Sequence, residues 1–440
     1  MPKLGFAGSP FWAAEENPMS ALNLPDGGFQ TANPHALATI LQASETRSII
    51  AATDIFDIRG IKLWAKNQPV SRDLQQKLMD RALSKPLEAT LMAEDGVKPD
   101  TLRQAVQRLV ESEGPLHALL RPHVAILHKA AASVRLHPVV QLLLTASETA
   151  RPQAFNHAIE AMAVAGALMA ARGGDDRLVV QAMTAGLLHD IGEMYIAPEF
   201  GEADAARSLN VESFRQLVVH PHVGQLLLSQ LTDYPRDIIR AVAEHHEHLD
   251  GSGYPHCLSG DQISPLGRLL AATEEALTAL RAPEASLHHA SVALRVVPGE
   301  FDEHLSGPLA AAARHVPPML PRNGANELQA ELARLDSSLQ MGMLHLKEWM
   351  PEKPSAELQQ AIDITGFLLH KLRTGWNESG LWGPSATSSD EQVIAEAEAV
   401  QAALRARLEG IERVARLNAG ALTEDEQATL DRFCESLVPH

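Results

Sequence analysis

The sequence predicts a mainly α-helical protein with a small N-terminal α+β unit, a central helical bundle and a C-terminal helical appendage. Short apolar and alternating runs separated by turn residues indicate strands before residue 99. From about residue 100 the chain is rich in Ala and Leu, with Pro and Gly at the breaks, as in successive helices. Aromatic residues make up only 4%, which fits helices packed on aliphatic side chains.

The length of 440 residues exceeds one ordinary hydrophobic core, so we expect several domains. The predicted boundaries give an N-terminal unit of unknown role over 1–99 and connecting helices over 100–149. The bundle that carries the chemistry follows over 150–318, and the C-terminal helices over 319–440.

Composition narrows the class of protein. With 45% hydrophobic and 21% charged residues the chain is typical of soluble globular proteins, and its net charge of −18 argues against a nucleic-acid polymer as partner. Two cysteines exclude a disulfide scaffold and a zinc site made of cysteines alone. The N-terminus has no signal-peptide pattern and no apolar run reaches 18 residues, so we expect a cytoplasmic protein without a membrane span.

The N-terminal unit begins where periodicity first becomes clear. We predict short strands over 49–52 and 54–58, a turn at Arg59-Gly60, and a half-buried strand in which Ile61, Leu63 and Ala65 face inward. A helix follows Ser71 as N-cap. Its predicted apolar face consists of Leu74, Leu78 and Ala82. Pattern alone does not give this unit a function, although it favours an interaction or scaffolding role over ligand sensing.

The C-terminal region is predicted to be a small bundle. One helix carries an apolar stripe, a second follows Pro354-Ser355, and the last two begin at capping boxes that open at Ser389 and Thr423. These stripes are more typical of a core than of a binding surface. The stripe residues are Leu328, Leu332, Leu335, Leu339, Met343 and Leu346 in the first helix, and Val393, Ala397, Val400, Leu404, Leu408 and Ile411 in the third.

Seven candidate metal ligands recur at intervals of roughly 25–32 residues, about one helix and one connection each. If successive helices pack antiparallel, these side chains can converge on one point. Imidazoles with carboxylates suit iron, manganese, zinc or nickel rather than calcium. The candidates are His157, His189, Asp190, His220, His245, His246 and Glu274.

Seven ligands exceed what one tetrahedral metal needs, whereas two metals that share a bridging Asp190 would use them all. Two metals in such a site activate water and neutralise a phosphoryl group, so the ligand set indicates metal-assisted phosphoester hydrolysis. The alternative is that individual histidines among the 20 are ordinary core or surface residues.

Four segments of the sequence resemble a known family. Residues 187–192 (LLHDIG) resemble the His-Asp signature of the HD superfamily of metal phosphohydrolases, and 245–255 (HHEHLDGSGYP) resemble the HHE–DG–GYP motif of its HD-GYP family. Residues 220–224 (HPHVG) and 268–274 (RLLAATE) match two further family segments. The resemblance covers about 150–300 and implies an HD-type helical bundle.

The family hydrolyses cyclic di-GMP to pGpG and often onward to GMP, and the resemblance implies this activity here. By position, one metal would be held by His157, His189, Asp190 and Glu274, and the other by His220, His245 and His246, with Asp190 as the catalytic bridge. We expect two ions of iron or of manganese, with zinc or nickel as alternatives. The implied substrate-binding residues are Gly253, Tyr254, Pro255, Arg268 and Glu193, although Arg268 could equally be a helix-packing residue.

The sequence departs from the family pattern at three positions. Glu193 stands where the family has a Lys, which replaces a cation expected at the substrate phosphate by an anion. Glu274 stands where the family has Asp, and Gln153 where members with a third metal have Glu, so we expect two metals. The alternative function is a weak or inactive relative that binds cyclic di-GMP or a signalling protein through its flanking regions. A third alternative is an HD hydrolase that acts on another nucleotide. The sequence does not decide whether the chain forms a dimer.

Overall fold

The computed structural model describes residues 29–79, 81–201, 211–282, 284–348, 353–381, 390–418 and 422–437. The chain is mainly helical, which confirms the predicted class. It divides into two compact units: the first contains the described residues up to 201 with 215–248 and 253–274, and the second contains 211–214, 249–252 and 275–437. The predicted domain boundaries at residues 99, 149 and 318 stay predictions.

Two antiparallel strand pairs form the β part of the first unit. Strand β1 (Ile49–Ala51) pairs with β4 (Leu91–Ala93), and β2 (Ile55–Phe56) pairs with β3 (Lys62–Trp64). Strands β1 to β3 lie where the sequence predicts strands. The sequence pattern did not reveal β4, because three residues are too few to show alternation.

The predicted alternation in β3 is only partly correct. Leu63 is buried, but Ile61 is 51% exposed and Trp64 only 9%. A register shift at Ile55/Phe56 interrupts the pairing, so the two faces do not alternate along the segment. The Nζ atom of Lys77 lies 4.9 Å from the centroid of the Trp64 ring and helps to cover it.

The N-terminal helices are α1 (Pro34–Ser44) and α2 (Arg72–Leu78). Asn33 caps α1, since its Oδ1 accepts from the backbone N–H groups of the first turn. Ser71 precedes α2 as predicted but makes no capping hydrogen bond with its side chain. The helix ends at Leu78, so the prediction that Ala82 lies on its apolar face is wrong; Ala82 pairs in an isolated bridge with Thr31.

Helices make up most of the rest of the first unit. In order they are α3 (Pro99–Glu111), α4 (His117–Leu120), α5 (Val124–Ser133), α6 (Pro138–Ala150), α7 (Pro152–Ala171), α8 (Asp176–Leu188), α9 (Val211–Leu217), α10 (His220–Leu231), α11 (Arg236–Glu244) and α12 (Pro265–Leu280), of which α9 and α12 cross into the second unit.

Helix α7 packs along α8 at the centre of this unit. It is long and apolar enough to cross a membrane by length and composition, but 67% of its apolar window is buried inside the protein. A core helix has the same properties, and α7 also carries His157.

The second unit contains α13 (Leu287–Ala293), α14 (Glu303–Ala313), α15 (Ala325–Glu348), α16 (Ala356–Ser379), α17 (Glu391–Asn418) and α18 (Glu424–Leu437). Most residues of the two predicted apolar stripes are buried in its core, as expected. Buried stripe residues are Leu328, Leu332, Leu335 and Leu339 in α15, and Ala397, Leu404, Leu408 and Ile411 in α17.

Two details of the stripes and caps differ from the prediction. Met343 is 39% exposed, because the 3.6-residue period brings Gly342 rather than Met343 to the buried face, where it lies against Leu437. The cap of α17 is Asp390, whose Oδ1 accepts from the N–H of Gln392; Ser389 lies outside the described residues. Ser355 and Thr423 begin their helices as predicted.

Candidate metal centre

The predicted ligands are carried by five helices and the turns that follow them, and all seven lie within the first unit. His157 lies in the second turn of α7, His189 follows α8 directly, and His220 opens α10. His245 and His246 follow α11, and Glu274 lies within α12. Asp190 directly follows His189. The side chains of all seven predicted ligands are almost completely buried. The structure therefore brings the seven predicted ligands together.

Donor atoms fall into two clusters, in each of which they lie within 4.8 Å of one another. The first cluster consists of His157, His189, Asp190 and Glu274, and the second consists of Asp190, His220, His245 and His246.

Asp190 belongs to both clusters, and its two oxygens face different ways. Oδ2 lies 3.1 Å from Nε2 of His189 and 3.3 Å from Nε2 of His157. Oδ1 lies 3.2 Å from Nε2 of His220 and 3.3 Å from Nε2 of His245. Such a carboxylate can bridge two cations, one for each oxygen.

Backbone carbonyls fix the orientation of three imidazoles. In each case Nδ1 lies within hydrogen-bond distance of the carbonyl oxygen three residues earlier, which places the proton on Nδ1 and directs the Nε2 lone pair at the centre. The pairs are His189 with Gly186 (2.7 Å), His220 with Leu217 (2.7 Å) and His245 with Val242 (2.6 Å).

This arrangement suits a cation. In the Nδ1–H form, each Nε2 is an acceptor, and the Asp190 oxygens that it faces are acceptors too. Among the residues that the structure describes, the imidazole Nε2 atoms are the polar side-chain groups that face the two buried oxygens of Asp190. Nε2 of His220 also faces Nε2 of His245 at 3.0 Å. Acceptors this close repel one another unless a positive charge lies between them, so imidazole and carboxylate donors here fit divalent transition metals.

The two clusters differ in electrostatics. Burial alone would lower the pKa of His157, but Glu274 and Asp190 raise it to about 9. Burial would raise the pKa of Asp190, yet the surrounding histidines hold it well below its usual range. In the second cluster, burial and the neighbouring His246 lower the pKa of His245 to about 3. The first cluster therefore attracts positive charge more strongly than the second.

The segment around Tyr254 folds back on the second cluster. The Tyr254 ring stacks on the His246 ring, with centroids 4.5 Å apart and planes 17° apart, and its N–H donates to the His246 carbonyl at 2.9 Å. Gly253 makes this approach sterically feasible, since a Cβ there would lie 2.3 Å from the His246 oxygen. Pro255 follows Tyr254 through a cis peptide bond and is buried.

Arg268 uses its guanidinium to hold the turn before α12. Nε donates to the Ile263 carbonyl at 3.0 Å, and Nη2 donates to the Gly260 carbonyl at 2.8 Å and to Oδ1 of Asp261 at 3.1 Å. These contacts attach α12 to the turn before it, and the predicted phosphate contact of Arg268 stays a prediction.

Glu193 lies in the 3₁₀ segment Ile191–Tyr195 that follows Asp190, and it is only 4% exposed. A Cβ on Gly201 would lie 2.7 Å from its Oε2, so the carboxylate packs against that glycine. Glu193 lines one small cavity with Asp190 and Arg151. Nη1 of Arg151 donates to the Glu193 carbonyl at 2.8 Å. Glu193 is in neither donor cluster, and its carboxylate interacts electrostatically with the guanidinium of Arg151.

Glu247 is a residue that the sequence reasoning missed. It is 1% exposed, and its carboxylate accepts from the N–H groups of His256 at 2.6 Å and Leu258 at 2.8 Å. The residue was visible within the HHE motif. A contact between a carboxylate and backbone groups 9 and 11 residues away has no sequence pattern that would identify it.

Comparisons with known proteins agree with this geometry. The HD domain family model matches residues 142–304. A cyclic di-GMP phosphodiesterase of Pseudomonas aeruginosa is 32% identical over 139 residues, which cover 32% of this chain and 33% of that protein. A 3′3′-cGAMP-specific phosphodiesterase of Vibrio cholerae is 31% identical over 105 residues, which cover 23% of this chain and 22% of that protein. The matched segments thus span about a third or less of these curated relatives.

Among solved structures, the chain is similar to an HDG"Y"P protein of Bdellovibrio bacteriovorus. The two are 14% identical with a TM-score of 0.35, over 62% of this chain and 98% of that one.

Proposed function

We propose that this chain is a metal-dependent phosphodiesterase of cyclic dinucleotides, because residues 142–304 form an HD domain related to the HD-GYP phosphodiesterases. Its substrate is cyclic di-GMP, which it opens to linear pGpG. The single observation that supports the proposal most strongly is Asp190, which directs one oxygen into each donor cluster.

In this proposal, the first cluster holds one divalent transition metal and the second holds another, with Asp190 as bridge. When bound, such a pair supplies activated water at neutral pH and offsets the charge of the phosphodiester. The donor types favour iron or manganese, with zinc or nickel as alternatives.

The chain itself supplies orientation. The carbonyls of residues 186, 217 and 242 keep three imidazoles in the tautomer that directs Nε2 inward. The Tyr254 ring covers His246 and forms one wall beside the second cluster, where the substrate would bind. Gly253 and Pro255 shape the same wall. Burial of all the donors keeps the centre away from bulk water and strengthens its electrostatics.

A second candidate function rests on Glu193. Its carboxylate is buried beside Arg151, in a position where the family has a lysine. This observation favours a relative with weak turnover or none, which would bind a cyclic dinucleotide and respond by a conformational change.

One assay separates these functions. Protein purified anaerobically is loaded with Fe²⁺ or Mn²⁺, analysed for metal, and incubated with cyclic di-GMP and, separately, with 3′3′-cGAMP. We expect about two metals per chain and release of pGpG from cyclic di-GMP. Binding of cyclic di-GMP without product favours the second function. Faster hydrolysis of 3′3′-cGAMP contradicts the proposed substrate, and absence of metal in the loaded wild-type protein contradicts both the phosphodiesterase and the two-metal centre.

A further inference from the structure

The loop 253–258 returns to the turn that carries His246. The N–H of Tyr254 donates to the His246 carbonyl, and Gly253 approaches so closely that a Cβ would lie 2.4 Å from the His248 nitrogen. This contact fixes only the start of the loop. The residues after Pro255 need a separate attachment if the Tyr254 ring is to stay on His246.

Glu247 provides that attachment. Its Oε1 accepts from the N–H of His256 at 2.6 Å and its Oε2 from the N–H of Leu258 at 2.8 Å. Hydrogen bonds in a buried, low-dielectric setting are electrostatically stronger than those exposed to water. Both carboxylate oxygens are thus engaged at the far end of the loop.

The residue between the two bonded positions has an uncommon backbone conformation. Cys257 lies between His256 and Leu258 and has a φ of 50°, in the left-handed region that non-glycine residues rarely adopt. The two bonds from its neighbours to Glu247 hold the backbone in this conformation.

We infer that Glu247 is a positioning residue, which fixes the loop 253–258 so that the Tyr254 ring stays stacked on His246 beside the second cluster. The inference rests on the proposed function for its effect on substrate, but the attachment of the loop can be tested without any activity. Glu247 acts through the loop and is not itself a metal ligand.

Two variants test the attachment. Glu247→Gln keeps the shape but presents an NH₂ group to one of the two N–H donors, and Glu247→Asp keeps the carboxyl group but is too short to reach both. Hydrogen–deuterium exchange of the peptide over 253–260 should become at least about tenfold faster at the His256 and Leu258 amides in both variants. Metal content should stay at the wild-type value.

The same variants test the consequence for substrate. KM for cyclic di-GMP should rise about tenfold, which corresponds to about 1.4 kcal/mol, while kcat changes by less than about threefold. If Glu247 only stabilised the fold, its substitution would lower the melting temperature without raising KM while leaving kcat nearly unchanged.

Glu244 offers a matched control. It is a second buried glutamate, three residues earlier, and it accepts from the N–H and hydroxyl of Ser264 and from Arg240. Glu244→Gln should change exchange around Ser264 and leave exchange over 253–260 at the wild-type rate.

Three results would overturn the inference: unchanged exchange over 253–260 in the Glu247 variants, faster exchange with unchanged KM, or loss of metal, which would make Glu247 a ligand. Inactive wild-type protein with faster exchange in the variants would instead count against the proposed function alone, and the attachment of the loop would stand.

Discussion

The two clusters of the centre share Asp190 but differ in their other donors. The first adds two imidazoles and a second carboxylate, Glu274, whereas the second adds three imidazoles and no further charge. The same residue type responds in opposite directions: the carboxylates raise the pKa of His157 to about 9, and burial among imidazoles lowers that of His245 to about 3.

This difference shows that one helical scaffold can build two unlike donor clusters whose residues interleave along the sequence and share Asp190. The first cluster offers a cation two carboxylates as well as nitrogen donors, while the second offers nitrogen donors and one oxygen of the shared carboxylate. Their surroundings differ as well, since the Tyr254 ring stacks on His246 of the second cluster and Glu247 holds that loop. Substitutions can test whether the clusters are as separate as the geometry indicates.

The largest effect is expected for Asp190→Asn, which removes the charge that the clusters share. An amide cannot offer an anionic oxygen to both sides, so metal content should fall from about two ions per chain to fewer than one. Metal analysis after gel filtration measures this, with circular dichroism as the control for folding. Retention of both ions would show that Asp190 does not bridge.

Glu274→Gln should empty the first cluster and leave the second loaded. Its Oε2 lies 2.9 Å from Nε2 of His157, and without its charge that cluster keeps only the shared carboxylate. We expect about one ion per chain. Glu274→Asp is the matched control, because it keeps the charge and restores the residue typical of the family. Equal loss of both ions in Glu274→Gln would mean that the two clusters are not independent.

His245→Ala is the counterpart for the second cluster. It removes an Nε2 atom that lies 3.3 Å from Oδ1 of Asp190 and 3.0 Å from Nε2 of His220. About one ion should remain, held by the first cluster, and its affinity should change by less than about threefold. His288→Ala provides a control, since His288 belongs to neither cluster. A larger loss from His245→Ala than from Asp190→Asn would contradict a shared carboxylate.

The sequence predicted the mainly helical fold and the meeting of the seven ligands, because both follow from periodic or motif patterns. The apolar stripes in α15 and α17 form part of the core of the second unit, and the seven ligands meet although the connections between them vary in length. The length of α2 and the strand β4 did not follow from pattern, since tertiary pairing fixes short elements.

Side-chain direction was less predictable. The sequence did not reveal that Glu193 packs against Gly201 or that Arg268 donates to the carbonyls of Gly260 and Ile263. These contacts depend on the conformation of the loops in the folded protein. Glu247 shows the same limit: its residue type was visible, but its bonds reach 9 and 11 residues along the chain.

The smallest expected effect on metal content concerns Glu193, which shares a cavity with the bridging residue Asp190. Burial lowers the pKa of Arg151, and the charges of Glu193 and Glu199 oppose that shift, so Glu193 stabilises the buried guanidinium electrostatically. Glu193→Lys would place a second cation beside Arg151 in a nearly inaccessible position and should lower the free energy of unfolding by about 3 kcal/mol. Glu193→Gln, which has the same shape, should cost less, and both variants should keep their metals because Glu193 is outside both clusters. Chemical denaturation and metal analysis measure these outcomes. If Glu193→Lys instead tightens cyclic di-GMP binding or raises turnover without loss of stability, the side chain faces the substrate, as the family pattern predicts, and the cavity that it shares with Arg151 and Asp190 is part of the substrate site.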